Sequence, residues 1–220
     1  RSTYTRAGIG GFAGRALKAG DTLACGELPA LWKKTLDFSC PETLRPLRDP
    51  EAPIRAVPGP QDDAFTEEGL ETLFGSAYTI TNQADRMGYR LEGPKVAHRA
   101  GADIVSDAIP LGAIQVPGHG QPIVMLADRQ TTGGYTKAAV VLTADLAALA
   151  QRLPGEAVRF ARSTPEEGAR LLAERAERLE ALLHLRAEYR SRPGSSVTAA
   201  CKGSGTWKMT CEGRTYTVQW

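Results

Sequence analysis

The densest run of groups able to do chemistry is Asp128-Arg129-Gln130-Thr131-Thr132-Gly133-Gly134-Tyr135, set between two apolar stretches, Ile123 to Ala127 and Lys137 to Thr143. A tight hairpin needs only about two to five turn residues and no such density of donors and acceptors, so the run reads as a wide loop with a task. Asp128 can accept an amide N–H or act as a base, and Arg129 can neutralise negative charge. The hydroxyls of Thr131 and Thr132 and the Gly133-Gly134 backbone can meet an oxyanion. A second polar run, Asn82 to Arg90, holds Gln83, Asp85, Arg86 and Arg90. Two guanidinium groups and an amide this close can clamp a carboxylate or phosphate, or Asp85 and Arg86 can form an ordinary loop ion pair. A third, Gln115 to Pro122, is a Gly/Pro turn whose Gln115 and Gln121 can hold a small polar substrate, with His119 an exposed turn residue. No second His, Cys or carboxylate nearby completes a metal set, so no metal site is expected. The glycines from Gly8 to Gly14 superficially satisfy a dinucleotide fingerprint, but no strand precedes them and no helix follows, which argues against that fold. Gly10 and Gly11 with Arg15 form either an anion-binding turn or a purely structural one.

These groups need a frame to converge. From Ile54 to Phe160, short apolar runs alternate with Gly, Pro, Asn and Asp, the pattern of many short strands. Strands are expected at Ile54 to Val57, Ala77 to Thr81, Gly88 to Glu92, Gly112 to Val116, Ile123 to Ala127, Lys137 to Thr143 and Ala157 to Phe160. Several intervals are too short for a crossover helix, so the pairing should be largely antiparallel and the body closed or sandwich-like. Thr66 caps a short helix to Phe74 with Leu70, Leu73 and Phe74 on one side, and Asp145 caps another over Leu146 to Gln151. Thr164, Pro165 and Glu167 make a capping box for one long helix carrying Leu172, Ala176, Leu179 and Leu183 at helical spacing. Its exposed face is supported by the pairs Glu166/Arg170 and Glu174/Arg178. Trp32 to Pro53 reads as a surface excursion and Ser191 to Ser196 as a linker. Val197 to Cys201, Thr206 to Cys211 and Arg214 to Trp220 read as a small β appendage. The expected organisation is a β domain over 1–162, a helix over 163–190, and linker plus appendage over 191–220.

The chain has 220 residues, 42% hydrophobic and 24% charged, enough to bury a core. Twenty-seven basic against 25 acidic residues leave a net charge of +2, too weak a field for a dedicated nucleic-acid or membrane-surface protein. No apolar run approaches the roughly 20 residues of a spanning helix. Four cysteines without a C-x-x-C pattern suggest reduced thiols in a cytoplasmic protein, although Cys201 and Cys211 flank a predicted hairpin and could face each other. The chain opens at Arg1 and runs at once into glycines, which reads as the middle of a folded domain, hence a fragment.

Several runs together resemble the allophanate hydrolase subunit 2 family, which takes in biotin-dependent carboxyltransferase domains and the C-type subunit of 5-oxoprolinase. They include Arg1-Ser2-Thr3-Tyr4, Gly14-Arg15-Ala16-Leu17-Lys18-Ala19-Gly20-Asp21, Pro58-Gly59-Pro60-Gln61-Asp62-Asp63, Asp85 to Gly93, Gly112 to Pro117, Gly120-Gln121-Pro122 and Asp128 to Tyr135. They run in order over residues 1 to about 162. The resemblance implies a mainly β, cyclophilin-like barrel, a missing N-terminal portion, and a partner subunit of related fold. It implies one of two activities. In one, the lactam of 5-oxoproline is opened to glutamate at the expense of ATP, with Mg²⁺. In the other, a carboxyl group passes from carboxybiotin on a separate carrier to urea or a similar amide. A non-catalytic regulatory module on the same barrel is the third possibility. Under the first activity, the favoured one, Asp128 orients or deprotonates the amide, and Arg129 and Arg86 stabilise carboxylate or phosphate charge. Gln115, Gln130 and Thr131 then hydrogen-bond the ligand.

Overall fold

Apolar side chains alternate along Ile54-Arg55-Ala56-Val57, and the protein buries Ile54 and Ala56 while Arg55 and Val57 are half-buried. That period of two is what a strand with one face on a core requires. The computed structural model describes residues 5, 7–22, 38–45, 49–191, 197–201, 206–211 and 214–219. Arg6, much of the excursion from Trp32 to Pro53, the linker beyond Ser191, the turns Gly203-Ser204-Gly205 and Glu212-Gly213, and Trp220 lie outside the described residues. The chain divides into two units, Ser39–Leu185 and Arg1–Phe38 together with Arg186–Trp220.

The first unit is built on β1 (Ile54–Pro58), β2 (Ala77–Ile80), β3 (Gly88–Glu92), β5 (Ala113–Gln115), β6 (Ile123–Met125), β8 (Lys137–Val141) and β9 (Ala157–Arg162). These strands form a closed barrel in the order β1-β8-β5-β6-β3-β2-β9. All seven expected strands are present, and all pairings are antiparallel except β1 with β9, which closes the barrel in parallel. Tyr78, Ile80, Leu91, Ile114 and Phe160 fill the interior, with Phe65 and Leu73 among the buried residues from outside the strands. Each such side chain removed from water contributes about 1.5–3 kcal/mol.

Two strands were not expected. β4 (Asp103–Ala108) pairs with β7 (Thr132–Tyr135) as a separate two-stranded ribbon. The second half of the supposed wide loop, Thr132 to Tyr135, is therefore strand, not loop. Its glycines hide the strand from propensity arguments. Gly133 packs closely against the loop before β5: a Cβ on it would stand 2.6 Å from Ile109 Cδ1, the movable tip of that side chain.

α1 (Glu67–Gly75) starts as expected, Thr66 Oγ1 accepting the Gly69 N–H at 2.9 Å. Asp145 precedes α2 (Leu146–Ala150) without a side-chain cap, because Arg55 claims its carboxylate through Nε, Nη2 and backbone N–H at 2.6–2.9 Å. α3 (Pro165–Ser191) forms only half of its capping box: Thr164 Oγ1 accepts the Glu167 N–H, while the Glu167 carboxylate turns to Ser163 Oγ at 2.8 Å. On its surface Arg170 pairs with Glu174 and Glu167 rather than with Glu166. Leu172, Leu179 and Leu183 are exposed.

In the second unit, β10 (Val197–Cys201), β11 (Thr206–Cys211) and β12 (Arg214–Gln219) form one antiparallel sheet. Cys201 lies opposite Trp207 and Cys211 opposite Val197, so the two cysteines occupy opposite ends of the hairpin instead of facing each other.

Candidate functional site

Two loops that sequence places far apart are laced together at one end of the barrel. Leu126 N–H donates to Met87 O and Asp128 N–H to Arg86 O, both at 2.9 Å. Asp85 sets the first loop by accepting the Met87 and Gly88 N–H groups on Oδ1, a local turn in place of the loop ion pair with Arg86. Arg86 is thereby free to reach across, and its Nε and Nη2 meet the two Asp128 oxygens at 2.9 and 3.0 Å. Both side chains stay well exposed, at 68% and 44%.

This fork stands beside a cleft of about 580 Å³ lined by Asp85, Arg86, Leu111, Leu126, Leu146 and Arg175, among others. The size suits a small organic ligand, and the apolar walls with charged groups suit one that has both an apolar body and a polar head. Tyr89 forms part of the wall, but its hydroxyl is committed to the Ala150 and Arg152 carbonyls, and burial pushes its phenol up. It is a support, not a proton donor.

The other expected residues divide. Arg129 is engaged by backbone: Nε donates to Ile109 O at 2.9 Å and Nη1 to Leu126 O at 3.3 Å, so its guanidinium braces the loop. Gln83, Arg90, Gln130, Thr131 and Thr132 lie outside these contacts, and all five are exposed. Gln121 spends its amide on both backbone groups of Gly93, each at 2.9 Å. In the other unit Arg15 is held bidentately by Asp21 at 2.7 Å, and the Gly8–Gly14 segment folds onto itself, where a Cβ at Gly14 would lie 2.0 Å from Gly8 O. Arg15 draws the Asp21 carboxyl down to about 2. That geometry commits the Arg15 guanidinium to an internal carboxylate where an external anion was expected.

Gln115 is not at the cleft. Leu111 precedes β5 and Leu126 follows β6, whereas Gln115 ends β5 opposite Ile123, the first residue of β6. The two places are on the order of 10 Å apart along the strand. Gln115 is buried, and its Nε2 has no hydrogen-bond partner. Around it lies a polar cluster that sequence patterning did not announce. Lys137, the register partner of Gln115 on β8, is fully buried, and its Nζ donates to Asp107 Oδ2 at 2.9 Å. Gln61 ties in from the turn after β1, donating to the same Asp107 oxygen at 3.2 Å and accepting the Lys137 N–H at 3.3 Å. Gly133, opposite Asp107 in the ribbon, covers Gln115, with Nε2 3.3 Å from where its Cβ would be. The one signal in the sequence was a lysine opening an otherwise apolar strand, Lys137-Ala138-Ala139-Val140-Val141. Its counter-ion lies on the unforeseen ribbon. No cluster of three or more His, Cys, Asp or Glu suited to a metal occurs among the described residues.

A closed, largely antiparallel barrel with a loop-built cleft at one end and a buried lysine site toward the other defines the class of protein. The family model of the carboxyltransferase domain, subdomain A and B, matches residues 1–162, and the chain belongs to that family. It is 39% identical over 170 residues to the C-type subunit of 5-oxoprolinase from Haemophilus influenzae, covering 77% of this chain and 52% of that protein. It is 36% identical over 166 residues to the corresponding 5-oxoprolinase protein of Escherichia coli, covering 76% and 51%. The chain thus spans about half the length of the curated relatives it matches. The crystal structure of the K. lactis urea amidolyase superposes with a TM-score of 0.69 at 25% identity, covering 95% of this chain and 15% of that one.

Proposed function

We propose that this chain is part of a 5-oxoprolinase subunit that works beside a partner subunit of related fold in opening the lactam of 5-oxoproline to glutamate at the expense of ATP. The observation that carries this reading is the 36–39% identity to two 5-oxoprolinase proteins over three quarters of the chain. Resonance makes an amide unreactive, so the reaction needs a donor for charge gathering on the carbonyl oxygen and an acceptor that fixes the N–H. The Arg86–Asp128 fork supplies one of each beside a cleft of suitable size. In the proposed role, a ligand amide enters between them: its N–H donates to an Asp128 oxygen and its carbonyl accepts from the Arg86 guanidinium. The other residues first expected to serve as ligand donors, Gln130, Thr131 and Thr132, follow Asp128 in the chain and keep some access to solvent.

ATP with Mg²⁺ enters as co-substrate of the complex. Arg15 and Arg129 are committed to Asp21 and to backbone carbonyls, so neither offers a ready phosphate cradle. Nucleotide contacts are accordingly proposed for the partner subunit.

The likeness to urea amidolyase, which extends over nearly the whole chain, supports the second reading, a carboxyltransferase domain acting on urea with carboxybiotin from a separate carrier. The test is ATP hydrolysis by the protein assembled with its partner subunits. Turnover dependent on 5-oxoproline is expected. Carboxyl transfer to urea without 5-oxoproline turnover would select the second reading, and partner binding with neither activity would make the chain a regulatory module.

A further inference from the structure

The Lys137 cluster is a site that the cleft does not use. An ammonium removed from water must be paired, and among the described residues Asp107 is its one acceptor, leaving two of its three N–H groups unmatched. The Gln115 amide beside it is buried with Nε2 unmatched as well. Buried donors left unused on register partners beneath the β4–β7 ribbon are arranged for an acceptor from outside the chain. Asp107 already accepts three hydrogen bonds: Oδ1 takes the Ala108 N–H and Oδ2 takes Lys137 and Gln61.

The two ends of the ion pair differ in access. Lys137 is fully covered, whereas the Asp107 side chain is 48% exposed, on a ribbon whose neighbour Val105 is 93% exposed. The pairing of β4 with β7 shifts register between Asp103 and Asp107, so the backbone that holds Asp107 is already irregular. A molecule arriving from solvent therefore meets Asp107 first and reaches Lys137 by taking its place. A neutral amide would leave the buried ammonium without counter-charge on doing so. A carboxylate would not, and its second oxygen would suit Gln115 Nε2.

We propose that Lys137 and Gln115 form a second ligand site, specific for a small monocarboxylate, with Asp107 as a resident counter-ion that the ligand's carboxylate displaces. The site is separate from the Arg86–Asp128 cleft and does not depend on lactam opening. No covalent step is involved.

Saturation-transfer NMR on the protein with acetate and with L-5-oxoproline, against 2-pyrrolidinone as the neutral lactam, reads this directly. A signal that depends on Lys137 is expected from both carboxylates and not from the neutral ring, whose amide can occupy the Arg86–Asp128 cleft instead. Lys137→Met should abolish acetate binding, and Gln115→Leu should weaken it several-fold. Asp107→Asn should tighten it several-fold, because the competing carboxylate is gone. That gain of affinity keeps the proposal falsifiable even where Lys137→Met folds poorly. Acetate that fails to bind, binds Lys137→Met as well as the parent, or binds Asp107→Asn more weakly would overturn the proposal. None of these outcomes bears on 5-oxoproline-dependent ATP turnover, so the two readings fail separately.

Discussion

The Arg86–Asp128 and Arg55–Asp145 pairs have similar geometry and opposite significance. Exposed pairs contribute about 0–1 kcal/mol, so the fork at the cleft can open for a ligand at little cost to the fold. Arg55–Asp145 is shielded, with Asp145 only 7% exposed and Arg55 giving it three N–H groups. The Asp145 carboxylate in turn raises the Arg55 guanidinium above its ordinary value. Asp145→Ala should therefore cost about 2–3 kcal/mol, less than a wholly buried pair, and lower Tm by roughly 4–10 °C in thermal unfolding. Asp128→Asn should leave stability within about 0.5 kcal/mol of the parent. Lys137 holds the Asp107 carboxyl below its usual range, helped by the Ala108 N–H and Gln61. A carboxyl depressed in the folded state stabilises the fold above its unfolded pKa of about 4, and that contribution is lost as pH falls through the folded value. Acid titration of stability should show this loss in the parent and not in Asp107→Asn.

At the scale of elements, Gly59 shows how a turn positions a site. A Cβ there would sit 2.1 Å from Lys137 O and 2.8 Å from the Ala138 carbonyl carbon, both backbone that cannot swing aside. Gly59→Ala should push the turn off β8, separate Gln61 from Asp107, and lower Tm, with hydrogen exchange rising first at the Gly59 and Gln61 amides that bond to β8. The barrel strands were legible because alternation and turn residues mark each one locally, as in Ile54-Arg55-Ala56. β4 and β7 were not, because Asp103 to Ala108 is mostly exposed and β7 contains two glycines, so neither has an apolar face to betray it. The same blindness hid the lysine site, whose counter-ion rides on that ribbon. Asp145 looked like a cap because only its neighbours in sequence were visible. Its partner Arg55 is 90 residues away.

For the whole molecule, closure of the barrel explains which candidate residues meet and which do not. The loops after β2 and β6 leave neighbouring parts of the same end, because β3 pairs with both β2 and β6, so Arg86 and Asp128 converge. Gln115 belongs to the far end of β5, a separation that no loop composition announces. Family membership accounts for the barrel. Among the described residues no helix is long and apolar enough to cross a membrane. The proposed chemistry rests on the fork as the place where the amide is held, and kcat for 5-oxoproline-dependent ATP hydrolysis by the assembled Asp128→Asn complex tests that most directly. A fall of about 100-fold or more, with the complex intact and stable, is predicted. Turnover equal to that of the parent complex would contradict it.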